Sequence, residues 1–204
     1  MTFLTQLNWR DATKMFDANK KVADSDLAKV LEAIRMAPTS FGLQPFYVRV
    51  VKDEATKKKL QDAGWGQAQF PTSTAVFVFV ARNDVMARID AMLESRTGGD
   101  ASKRAAMKDY EGMMKGFASA LTPADLKTWA QKQAYIALGF GLAAAAELGI
   151  ASCPIEGFSA PDFDKILGLP EGHFSTVVLA VGHASANATP FPKWRFPSSD
   201  IIRS

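Results

Sequence analysis

Along residues 25–36, Leu27, Val30, Leu31 and Ile34 recur at i, i+3, i+4 and i+7, the spacing that lines up apolar side chains on one helix face. Asp24 or Ser25 is the expected N-cap, and Pro38 marks the exit. The pattern then changes. FYVRVVK at 46–52, TAVFVFVA at 74–81 and STVVLAVGHA at 175–184 are rich in β-branched and aromatic residues and predict strands. The second of these is apolar on both faces, so it belongs at the centre of a sheet. DLKTWAQKQAYIALGFGLAAAAEL at 125–148 has no proline and many alanines, which predicts a long helix closed by Gly149. Its small residues predict close helix–helix approach. Its apolar surface, nearly all round, predicts a place in a core or an intersubunit interface. A shorter helix at 161–168 opens on Pro161.

Two stretches depart from these regular patterns. Residues 83–121 carry Met86, Met92, Met107, Met113 and Met114, with ESRTGGDASKR reading as a mobile break. Two readings of the methionines stand: core filler on helices, or an adaptable lid whose thioethers repack around varied ligands. Residues 37–46, APTSFGLQPF, join helix to strand through two prolines, a glycine, two hydroxyls and one amide side chain where a tight turn would suffice. Polar loops carried on rigid elements are common binding apparatus, and also common connectors.

Composition narrows the class. The chain has 204 residues, 48% of them hydrophobic and 22% charged, which fits one globular domain over 1–204. Net charge is +3 and the pI is about 9.0, with Lys and Arg scattered among acids, so no nucleic-acid partner is expected. Lys57, Lys58 and Lys59 form the densest basic run and read as the solvated face of a short helix. Cys153 is the only cysteine, which fits a reducing compartment. The N-terminus shows no secretory signal. The longest uncharged apolar stretch, at 134–146, falls short of the ~18–20 residues that span a bilayer, so a cytoplasmic protein without a membrane partner is expected.

Candidate chemistry is sparse. Gly139, Gly141 and Ala144 satisfy G-x-G-x-x-A, but they sit inside the long helical stretch and are read as packing residues, not a dinucleotide site. His173 and His183 have no partner at metal-ligand spacing, and few bases exist for a hydrolase triad. Cys153 has apolar neighbours and reads as a small hydrophobe. What remains is distributed: Arg10 and Lys14 in RDATK, the PTSFGLQP loop, and Lys193 and Arg195 in PKWR. Singly, such basic pairs are solvated surface residues; together they can clamp a phosphate, because Arg supplies a planar fork and Lys a point charge. Thr39, Ser40 and Gln44 can donate to hydroxyls and ring carbonyls. In ASCPIEGF at 151–158, Pro154 and Gly157 bracket a stiff turn, either structural or with its amides facing a ligand.

RDATKMFD, APTSFGLQPF, the run at 129–158 and the terminal PKWR together resemble the FMN-dependent nitroreductase family, more narrowly its oxygen-insensitive NAD(P)H nitroreductase and dihydropteridine reductase-like branch. The resemblance spans almost the whole chain in order and is weakest at 83–120. It implies an α+β, nitroreductase-like fold with a central, mostly antiparallel sheet wrapped by helices, in an intertwined homodimer. It implies tightly bound, non-covalent FMN, NAD(P)H as electron donor, and nitroaromatics, quinones or related flat electrophiles as acceptors by ping-pong hydride transfer. Arg10, Lys193 and Arg195 would hold the FMN phosphate, and Lys14 would lie by the ribityl chain and the N1/C2 edge. Pro38, Thr39, Ser40 and Gly42 would come from the partner subunit, Pro154, Glu156 and Gly157 would line the other ring face, and Gln67 and Gln69 would meet the ring edge. Phe117 would stack on substrate. No side-chain acid or base is implied. Two positions depart from the family pattern: Ala12 replaces a serine and Gln69 a lysine. The alternative is an FMN-binding storage or sensor protein without turnover.

Overall fold

The structure, a computed structural model, describes residues 2–189 and 191–203. Four strands, β1 (Phe46–Val51), β2 (Ala75–Arg82), β3 (Ala151–Ile155) and β4 (His173–Gly182), form one antiparallel sheet in the order β1-β2-β4-β3. The helices among the described residues are α1 (Phe3–Trp9), α2 (Asp24–Arg35), α3 (Glu54–Ala63), α4 (Gln69–Thr72), α5 (Val85–Thr97), α6 (Ala101–Ala106), α7 (Lys108–Ser119), α8 (Pro123–Glu147), α9 (Ala160–Leu167) and α10 (Ser198–Ile201). The fold is therefore α+β.

Strand β2 is central, as its apolar run predicts. Alternation divides its side chains: Ala75, Phe77 and Phe79 join α2 and α8 on one face, while Val76, Val78 and Val80 join α3, α4 and α9 on the other. Each fully buried Val or Phe contributes ~1.5–3 kcal/mol, so a strand buried on both faces anchors both layers. At Phe79/Val80 the register with β4 slips, pairing Phe79 with Val177 but Val80 with Ser175, a bulge that bends the ladder. A third cluster joins Leu43 to Ile89 and Leu93 of α5 and Met114 of α7.

Helix α8 explains the alanine- and glycine-rich sequence. A Cβ on Gly141 would stand 2.9 Å from Ile34 Cγ1 and 3.2 Å from Leu179 Cδ2, so only glycine lets α2 and the sheet approach this closely. Gly139 differs from its expected packing role: it is exposed, and a Cβ there would meet nothing within 4 Å. Helix α8 is likewise not buried all round within this chain. Tyr135, Ile136 and Phe140 leave an apolar strip in the open, and Phe3, Leu4 and Trp9 of α1 are also exposed.

Several local expectations are corrected. Helix α2 begins at Asp24 with Ala23 at its N-cap and no side-chain cap; Asp24 instead accepts from Lys52 Nζ at 2.6 Å. Pro154 and Ile155, expected in a stiff turn running to Gly157, belong instead to edge strand β3, because β4 supplies partners for their backbone; the turn begins only at Glu156. ESRTGGDASKR is mostly helical. Its break is confined to a turn where Gly98 takes a left-handed conformation (φ 60°) and Asp100 caps α6. The methionines divide between roles, since Met114 is fully buried while Met86 and Met113 are exposed.

The lysine run is not a uniform solvated face either. Lys57 lies three residues before Leu60 on the inner side of α3 and is fully buried. Its Nζ donates to Ser73 O (2.8 Å) and Pro71 O (3.3 Å) and pairs with Glu54 (2.9 Å). A buried ammonium needs such partners, and these tie α3 to the end of α4.

Candidate functional site

The two ends of the chain meet. Helix α1 ends at Trp9, and Arg10, Asp11 and Ala12 line a cavity of about 210 Å³ with Phe191, Pro192, Lys193, Trp194 and Arg195. Lys193 does not point a free ammonium into it. Its Nζ donates to the carbonyls of Leu7 (2.7 Å), Asn8 (2.7 Å) and Arg10 (2.5 Å), at the negative end of α1. Desolvation among these carbonyls, then repulsion from Arg10 and Arg195, pulls its pKa below the ordinary lysine value. Lys193 thus fixes the C-terminal segment on α1 and adds positive field, leaving Arg10 and Arg195 as the directional donors. Arg10 Nε is buried without an acceptor.

The segment after Arg10 runs beside β3. Thr13 N donates to Ser152 O at 3.2 Å, and its hydroxyl donates to Asp11 Oδ1 at 2.8 Å. Lys14 lines a second cavity with Asp11, Ala12, Thr13 and Phe191. Its Nζ lies 4.0 Å from Cys153 Sγ, and the buried Gln69 approaches the same sulfur at 3.7 Å through Nε2. Burial raises the Cys153 pKa, against the Gln69 hydrogen bond and the Lys14 charge. The thiol therefore stays protonated near neutrality, as expected of a small buried hydrophobe and not of a nucleophile.

The turn after β3 is held from two sides. Gln67 Nε2 donates to Gly157 O (2.7 Å) and Gly64 O (2.9 Å), and Tyr135 of α8 donates to Glu156. A Cβ on Gly157 would stand 2.9 Å from the Trp65 ring, so glycine is required for that ring to lie over the turn. Trp65 adopts a left-handed backbone (φ 59°) and is 71% exposed. It was missed in the sequence, where the one signal is an aromatic set between glycines 64 and 66.

Residues 38–44 lie elsewhere. Phe41, Gly42 and Gln44 all take positive φ, of 58°, 69° and 44°, which for Phe and Gln costs roughly 1 kcal/mol or more each. Compensating bonds hold the shape. Gln44 N donates to Thr39 Oγ1 (3.0 Å), Gln44 Nε2 to Arg35 O (2.8 Å), and Ser40 N to Gln133 Oε1 (2.9 Å). Phe41 packs edge-on to Phe117 at 5.3 Å, and Phe117 packs on Trp129 at 5.6 Å. Gln44 and the Thr39 oxygen are thus engaged within the chain, while Pro38, Ser40 and Gly42 face outward. Among the described residues, no hydrogen bond or salt bridge joins residues 38–42 to Arg10, Lys14, Lys193 or Arg195. One chain brings together the cationic residues and the β3 turn, but not the loop.

FMN implies a phosphate site, and the residues fit it: an acceptorless buried guanidinium nitrogen lies where Arg10 and Arg195 share a cavity with the Lys193 field. Among the described residues, no group of three His, Cys, Asp or Glu could hold a metal ion, and no helix is long and apolar enough to cross a membrane.

The chain is similar to known proteins in both sequence and fold. The sequence profile of the nitroreductase family matches residues 7–183. YfkO of Bacillus subtilis, named as a candidate NAD(P)H nitroreductase, is 37% identical over 214 residues, covering 98% of this chain and 96% of its own. A protein from Staphylococcus saprophyticus, named likewise, is 35% identical over 211 residues, covering 98% of this chain and 95% of its own. The structure of a nitroreductase-type protein from Exiguobacterium sibiricum in complex with FMN superposes with a TM-score of 0.87 at 20% identity, over 100% of this chain and 97% of that one.

Proposed function

The chain belongs to the nitroreductase family, a family of oxidoreductases, and from that premise we propose that it is an FMN-dependent NAD(P)H oxidoreductase acting as a homodimer on nitroaromatics, quinones and related flat electrophiles. One observation carries the cofactor assignment: the buried Arg10 Nε, lacking an acceptor, in the cation-lined region where the chain's two ends meet. The FMN complex of the structural neighbour and the NAD(P)H in the relatives' names support the same reading.

When bound, FMN supplies the redox chemistry, taking hydride from the nicotinamide and passing electrons to an acceptor that enters the vacated space. Arg10 and Arg195 hold the phosphate, and Lys193 keeps the C-terminal segment in place. Lys14 provides positive charge for the anionic reduced cofactor, in the absence of the second lysine that Gln69 replaces. Pro154 near the end of β3, with Glu156, Gly157 and Gln67 at the turn after it, forms one wall, with Trp65 at its open edge. Pro38, Thr39, Ser40 and Gly42 complete the site from a second copy, and the outward orientation of Pro38, Ser40 and Gly42 supports this. The strained backbone of the loop holds that orientation before any partner arrives. Phe117, packed on Phe41, travels with the loop to the partner's site.

The test is optical. Protein loaded with FMN under anaerobic conditions should bleach with NADH or NADPH and recolour on adding a nitroaromatic or a quinone. A yellow protein that neither donor bleaches would instead be a storage or sensor protein. Failure to retain FMN at all would end the flavin reading.

A further inference from the structure

Resting on the FMN reading, we propose that Ser152 is a phosphate-binding residue, its hydroxyl supplying the neutral donor that Ala12 cannot. Ser152 is 2% exposed, and its Oγ is buried without a hydrogen-bond partner. It shares a cavity of about 140 Å³ with Trp9, Arg10, Asp11, Thr13, Ala151 and Ala184. Arg10, whose Nε is also buried and unpartnered, lines the same cavity. Leaving a buried polar atom unsatisfied costs ~1–3 kcal/mol, and more where the group is charged. An acceptor group entering this cavity would relieve these atoms. A phosphate oxygen can do this; a ring carbon or methyl group cannot.

The neighbouring chemistry favours phosphate. Arg10 and Asp11 line both this cavity and the one formed with Lys193 and Arg195, so the two spaces adjoin. Lys193 has directed its protons to three backbone carbonyls, so it offers charge but no free donor. Ala12 offers no hydroxyl. To the charged grip of Arg10 and Arg195 the Ser152 hydroxyl would add a neutral donor held on a strand. Asp11 is the one carboxylate in the lining. Its Oδ1 already accepts from the Thr13 hydroxyl, and the cations around it outnumber it.

Ser152 also has the rigidity that a binding donor needs. It lies on β3, pairs with Val181 of β4, and its carbonyl accepts from Thr13 N. Position 152 attracts no notice in the sequence, where it is a small residue beside the more conspicuous Cys153.

The experiment titrates apoprotein with FMN and with riboflavin, which lacks the phosphate, following flavin fluorescence for wild type and Ser152→Ala. Thermal melts of both apoproteins check folding. The expected result is an apoprotein melting as high as wild type or higher, FMN dissociation weakened roughly tenfold or more, and riboflavin affinity unchanged within twofold. Ser152→Thr, which keeps the hydroxyl, serves as a second variant and should bind FMN more tightly than Ser152→Ala. Unchanged FMN affinity in Ser152→Ala would mean that the hydroxyl serves only a buried water and would overturn the proposal. Equal weakening of FMN and riboflavin would overturn it too, placing the contact away from the phosphate. If wild type binds no FMN, the functional reading itself fails; if wild type binds and Ser152→Ala binds equally, only the role of Ser152 fails.

Discussion

On the proposed FMN reading, Lys14 is the residue expected to tune the cofactor's potential. Reduced flavin carries negative charge about N1 and the C2 carbonyl, and a nearby cation favours that state. Among the basic residues around the site, Lys193 is committed to backbone carbonyls. Lys14 Nζ lies 4.0 Å from the Cys153 sulfur, and among the described residues no carboxylate forms a salt bridge with it. Lys14→Ala should lower the midpoint potential of bound FMN by roughly 30 mV, equivalent to ~1.4 kcal/mol for a two-electron couple. Spectroelectrochemistry with the variant saturated in FMN measures this, and an unchanged potential would assign the tuning elsewhere. The candidate cations were legible in the sequence as basic residues near both ends. Their division of labour was not, because carbonyl acceptors at the end of α1 claim Lys193 only after the chain has closed on itself. Lys57 teaches the same lesson in reverse: its neighbours suggested solvent, while its place on α3 put it inside.

At the scale of elements, α8 organises the molecule. Its Gly141 faces α2 and the sheet, while its Gly139, two residues away, faces outward. Gly141→Val should therefore force the Ile34 and Leu179 contacts apart and cost about 1–3 kcal/mol. Gly139→Ala meets no atom of its own chain and should leave the stability of the dissociated chain unchanged or higher, since alanine is the better helix former. Urea unfolding of the two variants under dissociating conditions gives the contrast, and equal destabilisation would contradict the packing derived for α8. Periodicity and composition were enough to place α2, α8, α9 and three of the four strands. Strand β3 escaped because ASCPI is short and contains proline; pairing along β4 decided it. Helix α1 escaped because no side chain of it is buried, so the inward-facing pattern that announces a helix is missing.

The whole molecule leaves its apolar strip uncovered. Ile136 and Phe140 on α8, Phe3, Leu4 and Trp9 on α1, and Phe191, Trp194 and Phe196 near the C-terminus all lie open. Isolated exposed apolar residues are ordinary, but an array of large ones across adjoining elements is a feature of association surfaces. The proposed dimer covers them and brings residues 38–42 to the other copy's cofactor. Phe140→Asp should then convert a species of twice 22.1 kDa into one of 22.1 kDa in light scattering, and FMN should be lost with the partner. A monomeric wild type that retains FMN would refute the shared site.

The amino-acid pattern alone determined the class of the fold and its central elements, because alternation and helical spacing are local properties fixed by backbone geometry. It also carried the family resemblance, through motifs that keep their order along the chain. Tertiary structure decided which cations stay available, which glycines are packed and which hydroxyls are buried without partners. Those outcomes depend on atoms far apart in sequence, such as Lys193 against Leu7 and Ser152 beside Arg10, whose proximity no local pattern encodes.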